Sequence, residues 1–452
     1  MTRSALSRRH FLAASVAIGA APYFWTSAPA QTPSANDRLG IAGIGVGGKG
    51  SGDAHSAAKF GDMVACCDVD RAHAEKFAVR YKGRCQIYED YRYVLDRKDV
   101  QVVIIGTPDH WHTPIAIAAM RAGKDVYCEK PLTLTIDEGK QIAKVVRETG
   151  QVFQVGTQQR SEYQQMFLKA VVLARSGRLG KNVNAICSIG GAKAGGPFEN
   201  TAPPASLNWD LWLGQTPVVP YCEQRCHRTF RGFLEYSGGK LTDWGAHHLD
   251  IAQWALGYED SGPIHIEGQG EMPVIPDDFD PVAFFAGQVR LPNSYNIALT
   301  FECKLTYANG RTMTVRHGPD NGIWLEGELG KIFVNRGKLT GKPIEDLTQK
   351  DQQWLDEEVR KLYHGREFLG HMANFFQCIK QRKQPISDVF THHRSMTCCH
   401  LCNIALLLKR KLQWDPQKED FVGDDQASQL LARPQRAAYK FGGRKSEVGS
   451  IG

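Results

Sequence analysis

The sequence predicts an α/β protein of two parts: a domain built on a parallel sheet, then an α/β domain carrying a large, mostly antiparallel open sheet. Three observations predict it. Residues 38–46, Arg-Leu-Gly-Ile-Ala-Gly-Ile-Gly-Val, form a short β-prone run that ends in glycines. Apolar runs of strand length then alternate with helix-compatible stretches as far as Val155, the order expected of β-α-β units. From Phe167 the pattern changes to runs that alternate or end in turns, as in an antiparallel sheet with one solvated or partner-facing side. The 452 residues suffice for two domains with sizeable cores.

Residues 1–30 read as a targeting segment rather than as fold. Ser7-Arg8-Arg9-His10-Phe11-Leu12 is a twin-arginine pattern, an apolar small-residue stretch follows from Leu12 to Ala21, and Ala28-Pro29-Ala30 supplies a cleavage site before Gln31. The apolar stretch is too short to span a membrane. The alternative is an ordinary secretory signal with a chance Arg-Arg pair, but Ser7, Phe11 and Leu12 flank the pair as the twin-arginine pattern requires. The twin-arginine export machinery is then a partner, and the protein is expected in the periplasm or otherwise exported. Such substrates cross already folded, which suits a protein that must trap a nucleotide before it leaves the cytoplasm.

Removing Arg3, Arg8 and Arg9 takes the formal charge from +7 to +4, too mild a balance to argue for nucleic acid. No later run predicts a stable membrane span. The twelve cysteines are scattered, with adjacent pairs at Cys66-Cys67 and Cys398-Cys399, and read as buried free thiols rather than a disulfide framework. Cys398-Cys399-His400-x-Cys402 lacks a second ligand pair at zinc spacing, and Cys222-x-x-x-Cys226-His227 is equally weak, so no metal is expected.

The first domain, residues 37–160, reads as a Rossmann dinucleotide-binding domain. Gly43, Gly45 and Gly48 form a G-x-G-x-x-G turn between the first strand and helix-compatible Asp53 to Phe60. These glycines allow a tight turn and close approach of backbone to a pyrophosphate at a helix N-terminus. A second strand, Met63 to Cys67, ends at Asp68, twenty residues after Gly48. An acid there accepts from the adenosine ribose hydroxyls and repels a 2′-phosphate, so NAD is expected; Arg71 keeps NADP open. Val102 to Ile105, Asp125 to Cys128 and Val152 to Val155 read as further strands, with helices at Pro114 to Ala122 and Ile136 to Thr149. Strand ends in such sheets face the ligand crevice. That places Thr107, Pro108, His112 and the Glu129-Lys130-Pro131 turn beside the cofactor, with Gln158 and Arg160 candidates to reach cofactor or substrate.

The second domain, residues 161–414, opens with a helix from Phe167 to Ser176. Strands are expected at Val183 to Ile189, Ile264 to Gly270, Val282 to Arg290, Ser294 to Glu302, Arg311 to His317, Gly322 to Leu325 and Lys331 to Val334. Gly190 to Pro204 reads as a loop over the site or at an interface. Helices around His371 to Arg382 and His393 to Lys411 close the domain, and residues 415–452 read as an irregular tail. The open sheet face suggests a homodimer or homotetramer. Of Trp209, Trp212 and Trp254, at least two are expected in the core.

Asp243, His247 and Asp250 are spaced i, i+4, i+7, so they share one face if Leu241 to Leu256 is one helix. Ser237-Gly238-Gly239 lets the backbone come close to a ligand. Alone, the segment is equally a helix start with Asp243 as cap and His247 as a satisfied core histidine. The rest of the chain tips the balance. Oxidising an alcohol requires a base for its hydroxyl proton, and a histidine near neutrality is the usual one. Asp243 is suited to hold the imidazole's orientation, and Lys130 to donate to the alcohol oxygen.

These motifs, with Thr107-Pro108-Asp109-His110-Trp111-His112, Glu129-Lys130-Pro131 and the D-x-x-x-H at Asp243 and His247, resemble the glucose–fructose oxidoreductase/inositol dehydrogenase (Gfo/Idh/MocA) oxidoreductases over nearly all of residues 31–452. The resemblance implies that Lys130, Asp243 and His247 act on the substrate, with His247 as acid/base. It also implies a Rossmann domain followed by a domain whose open sheet often forms oligomer interfaces. Trp209-Asp210-x-Trp212-Leu213-Gly214 is similar to a subgroup thought to act on sugars or glycosides. Substrate contacts are then expected from Arg228, Arg231, Tyr236 and His248, whose donors suit hydroxyl-rich ligands.

Three functions follow from this reading. The first is a dehydrogenase acting on a sugar, glycoside or polyol, exported with NAD tightly bound and recycled by a second substrate. The second is an NAD-dependent glycoside hydrolase working by transient oxidation and elimination; the glycosidases associated with this fold often lack the lysine that stands here at Lys130. The third is a non-catalytic NAD-binding protein.

Overall fold

The computed structural model describes residues 38–441. Residues 1–37, on which the expected targeting segment falls, and the tail beyond Phe441 lie outside the described residues.

Six strands form the first sheet: β1 (Leu39–Ile44), β2 (Gly61–Cys67), β3 (Gln86–Tyr88), β4 (Val102–Ile105), β5 (Asp125–Glu129) and β6 (Phe153–Gly156). They pair in parallel in the order β3-β2-β1-β4-β5-β6, the doubly wound order whose ligand crevice lies at the strands' C-terminal ends. Helices cover both faces, so β4 and β5 are buried at every position, and β4, Val-Val-Ile-Ile, reads as an uninterrupted apolar run. The helix Arg71–Ala78, capped by Asp70 through a 3.1 Å bond from the Ala72 amide, and the three-residue β3 have little periodic signal.

Two helices of this domain start earlier than the sequence predicts. One spans Lys49–Ala57. Gly50 permits this, since a Cβ there would stand 2.0 Å from the Gly45 carbonyl oxygen. The other spans Asp109–Arg121 with Pro114 inside it. Proline has no N–H to give to the carbonyl four residues back. The freed His110 carbonyl accepts instead from the Gln215 side-chain amide.

The second sheet has nine strands: β7 (Asn184–Ile189), β8 (His265–Glu271), β9 (Thr300–Thr306), β10 (Thr312–His317), β11 (Gly322–Gly327), β12 (Gly330–Val334), β13 (Leu339–Thr340), β14 (Leu412–Asp415) and β15 (Asp420–Phe421). Their order is β13-β12-β11-β7-β10-β9-β8-β14-β15. β7 and β10 pair in parallel; the other pairs are antiparallel. On β9, buried Phe301, Cys303 and Leu305 alternate with exposed Glu302 and Lys304. The buried face packs on helices Gly245–Leu256 and Val389–Leu408. The second of these is buried nearly all round. All twelve cysteines are free and buried, and Trp212 and Trp254 lie in the core.

Three expectations are corrected. Val282 to Arg290 is not a strand. Asp280 accepts from the Val282 and Ala283 amides and Pro281 sits at the first helical position, so Pro281–Phe285 is a short helix. Residues 294–299 are loop, because Tyr295 and Asn296 give their amides to the Gly195 and Gly232 carbonyls; the strand begins at Thr300. The described part of the tail is not irregular. It contributes β15 and helix Asp425–Gln429. Half-buried Arg433 donates to the Leu234 carbonyl at 2.7 Å, and Arg436 pairs with Asp210 at 2.6 Å. Among the described residues, no helix is long and apolar enough to cross a membrane.

Candidate active site

A cleft of about 1530 Å³ runs along the C-terminal ends of the parallel strands and is closed from the other side by the second domain. Gly45, Gly47, Gly48, Asp68, Thr107, Pro108, Glu129 and Lys130 line it from the first domain. Gly45 has φ +76°, and a Cβ there would stand 2.5 Å from the Thr107 amide nitrogen. The Asp68 carboxylate accepts from the Val46 amide at 2.9 Å and the Asp70 amide at 3.0 Å, bracing the glycine turn. Gly48 begins helix Lys49–Ala57 and no side chain caps its first turn. The buried Thr107 hydroxyl has no partner. A side-chain-free cradle, an uncapped helix N-terminus and an acid at the end of β2 fit a dinucleotide.

Gly43 and His112 shape this cleft from behind rather than line it. A Cβ on Gly43 would meet Val46 Cγ1 at 2.8 Å and Ala54 Cβ at 3.2 Å, so this glycine lets the helix pack on β1. His112 is buried, its ring nitrogens 2.8 Å from the Thr107 carbonyl and 2.6 Å from the Pro131 carbonyl. It ties the two cofactor-side turns together. Gly45→Ala is expected to weaken NAD binding at least tenfold, since it strains a left-handed backbone and drives Thr107 away; its stability should fall by more than about 1 kcal/mol. Fluorescence titration of the variant with NADH checks this, and native-like affinity would contradict it.

The reactive groups converge at the centre of the cleft. Lys130 Nζ donates to the Asp243 carboxylate at 2.5 Å and to the Asp243 carbonyl at 2.8 Å, both side chains being about 15% exposed. Arg231 Nε stands 3.4 Å from the same carboxylate. Burial raises the Asp243 carboxyl, but Lys130 and Arg231 outweigh it and hold the group below the usual carboxylate range. The expected single helix is two, Gly239–Asp243 and Gly245–Leu256, which meet at Trp244. Asp243 is bonded to Lys130, and His247 Nδ1 takes no bond from it. His247 lines the same cleft, and its buried Nδ1 has no partner. Burial, then the charges of Lys130 and Arg336, hold its pKa well below the ordinary histidine value rather than near neutrality.

Supporting contacts set these groups in place. Ser237 Oγ donates to buried Asp109 at 2.6 Å, fixing the glycine-rich approach to Asp243 against the first domain. Gln158 lines the cleft and donates to Glu129 at 2.8 Å. Lys49 bonds Asp53 and stands 3.4 Å from Glu129. Burial and the Glu129 charge push the Asp53 carboxyl up. Arg228 and Arg231 line the cleft. Tyr236 and His248 do not. Tyr236 is fully buried against Trp212 and Phe233 and takes a 3.3 Å bond from Arg225; His248 is fully buried, 3.1 Å from the Asn321 side-chain oxygen. Arg160 reaches neither cofactor nor substrate, because both its arms grip buried Asp250. Asp250 is thus bonded to Arg160 and does not line the cleft. Arg336, in the turn after β12, escaped sequence reasoning because no motif marks it.

Residues 38–157 match the family model "Oxidoreductase family, NAD-binding Rossmann fold", and residues 196–441 match the C-terminal α/β domain of the same family. The chain belongs to the Gfo/Idh/MocA oxidoreductases. Inositol 2-dehydrogenase 4 of Saccharopolyspora erythraea is 31% identical over 328 residues, 72% of this chain and 83% of the relative. A glycosyl hydrolase family 109 protein of Shewanella pealeana is 33% identical over 174 residues, only 32% of this chain and 38% of the relative. The aldose-aldose oxidoreductase of Caulobacter crescentus, solved with glycerol, superposes with TM-score 0.57 at 17% identity, covering 83% of this chain and 99% of that one.

In this NAD-binding member of the family, the neutral imidazole of His247 is the proton-accepting form. With its pKa held low, that form persists as pH falls, so a reaction that uses His247 as its base is expected to show an acid limb of kcat/KM below the usual histidine value of about 6.5. Arg336→Ala removes a neighbouring cation and should shift that limb upward. A limb that stays put in Arg336→Ala would show that the arginine's charge does not act on the base.

Proposed function

We propose that the chain is an NAD-dependent dehydrogenase acting on a CH–OH group of a sugar, glycoside or polyol. The observation that carries the reading is the meeting of Lys130, Asp243 and His247, with its unpartnered Nδ1, in the cleft that the glycine turn opens. His247 takes the hydroxyl proton. Lys130 donates to the same oxygen and steadies the charge that develops there. Asp243 holds the lysine by two bonds, so the ammonium is aimed before substrate arrives. Bound NAD supplies the acceptor for the hydride that leaves carbon. NAD rather than NADP is supported by Asp68 in the cleft and by Arg71, which is turned to Glu75 at 2.8 Å.

The dehydrogenase relative supports a polyol or sugar substrate, and the twin-arginine pattern supports export with the nucleotide bound. The glycosyl hydrolase relative favours a second reading, hydrolysis by transient oxidation. Purified protein starting at Gln31 separates the two. Absorbance and fluorescence report bound nucleotide while sugars, polyols and nitrophenyl glycosides are added. Lasting NADH with one sugar or polyol supports the dehydrogenase. Phenol release without lasting NADH supports the hydrolase. Absence of both, with NAD bound, would leave a non-catalytic NAD-binding protein.

A further inference from the structure

At the end of the cleft that holds Asp68, three side chains with no part in the proposed reaction converge. We propose that Asp70, His73 and His227 bind a divalent transition-metal cation, zinc by the chemistry of the donors. One donor atom from each lies within 4.8 Å of the others. Asp70 is buried and divides its carboxylate. Oδ1 caps helix Arg71–Ala78, which leaves Oδ2 facing His227 Nε2 at 3.4 Å and His73 Nε2 at 4.0 Å. Ligands about 2.0–2.2 Å from a tetrahedral zinc stand about 3.3–3.5 Å apart. Of the three pairs, Asp70–His227 already meets that spacing, Asp70–His73 is half an ångström or so beyond it, and the two histidine donors lie within 4.8 Å of each other. The His73 and His227 side chains are 33% and 43% exposed, so both rings are free to make the adjustment.

The surroundings suit a ligating histidine. His73 Nδ1 stands 3.7 Å from Asp68 Oδ2, the outer carboxylate that commonly fixes the tautomer and aim of a metal-bound imidazole. The two imidazole rings lie side by side, centroids 4.6 Å apart at 60°. Asp70 and His73 are a local pair at one helix start, but His227 comes from the other domain. It opens the turn His227–Gly232, which carries Arg231 to Asp243. A cation here staples that turn to the nucleotide-binding domain, across the cleft mouth. Two imidazoles and one carboxylate leave a fourth position for water.

The test uses the exported form of the chain, from Gln31 onward, stripped with EDTA and titrated with Co²⁺ alone. One equivalent is expected to bind with the strong visible absorption of four-coordinate cobalt, and Zn²⁺ should displace it. His227→Ala and Asp70→Asn should each weaken binding about 10- to 100-fold. Asp70→Asn keeps a capping oxygen, and circular dichroism verifies that both variants are folded. Absence of a saturable cobalt spectrum, or equal cobalt affinity in the native chain and both folded variants, overturns the proposal. Either result is independent of whether the chain proves to be a dehydrogenase or a hydrolase.

Discussion

His247→Ala is expected to lower kcat by about 10²–10⁴-fold while NAD remains bound. The imidazole stands in the cleft with its pKa held low and no partner at Nδ1, so in the proposed reaction it is the group that takes the proton. Its loss leaves Lys130 and Asp243 paired, and the glycine turn lies on other elements. Nucleotide affinity should therefore change little. Lys130→Met acts differently. It removes the donor to the reacting oxygen and leaves a mostly buried Asp243 facing Arg231 alone. Its loss in kcat should be about 10²–10³-fold, with a fall in stability that His247→Ala does not show. Stopped-flow reduction of bound NAD measures the first effect, and NADH titration the second. Unchanged reduction rates in both variants would remove the proposed chemistry and leave a nucleotide-binding protein.

Arg160→Met is expected to destabilise the fold by about 3–5 kcal/mol. Arg160 and Asp250 are 3% and 0% exposed and joined by two bonds, at 2.7 and 2.8 Å. Burial would raise the Asp250 carboxyl, but the Arg160 charge and its hydrogen bonds hold it far below the usual range. The guanidinium also gives a 3.0 Å bond to the Ile386 carbonyl and lies 4.4 Å above Trp254. Removing it strands a charge in the core, with Ser395 as a remaining donor at 3.0 Å. Replacing both partners, Arg160→Met with Asp250→Leu, removes the stranded charge and should recover most of the loss. Urea unfolding of the three variants reads this directly; a single-variant loss below 1 kcal/mol would contradict it. Asp250 lies about one helical turn beyond His247, so the same contact seats the helix that carries the base.

The sequence made the nucleotide half legible because its signals are local. A glycine turn, a strand on each side of it and an acid at the next strand end are all read within about thirty residues. The Lys130, Asp243 and His247 set was legible as motifs, but not its wiring. Asp243 is bonded to Lys130, which comes from the turn after β5, and no periodicity announces a partner so far away in sequence. Tyr236 and His248 sit in polar-looking sequence, yet bond inward to Arg225 and Asn321. Arg336 and the Asp70, His73 and His227 group are set by long-range packing, which a single chain does not display. Val282 to Arg290 is strand-like in composition, and its helix start, Asp280 and Pro281, lies just before it.

Every thiol of this chain is sealed in the core, and none is committed to a disulfide. The folded protein should thus be silent toward colourless thiol dyes, while the denatured chain offers twelve reactive groups at once. The molecule carries its own unfolding reporter. The rate at which a dye develops colour counts openings of the core, without any label being added.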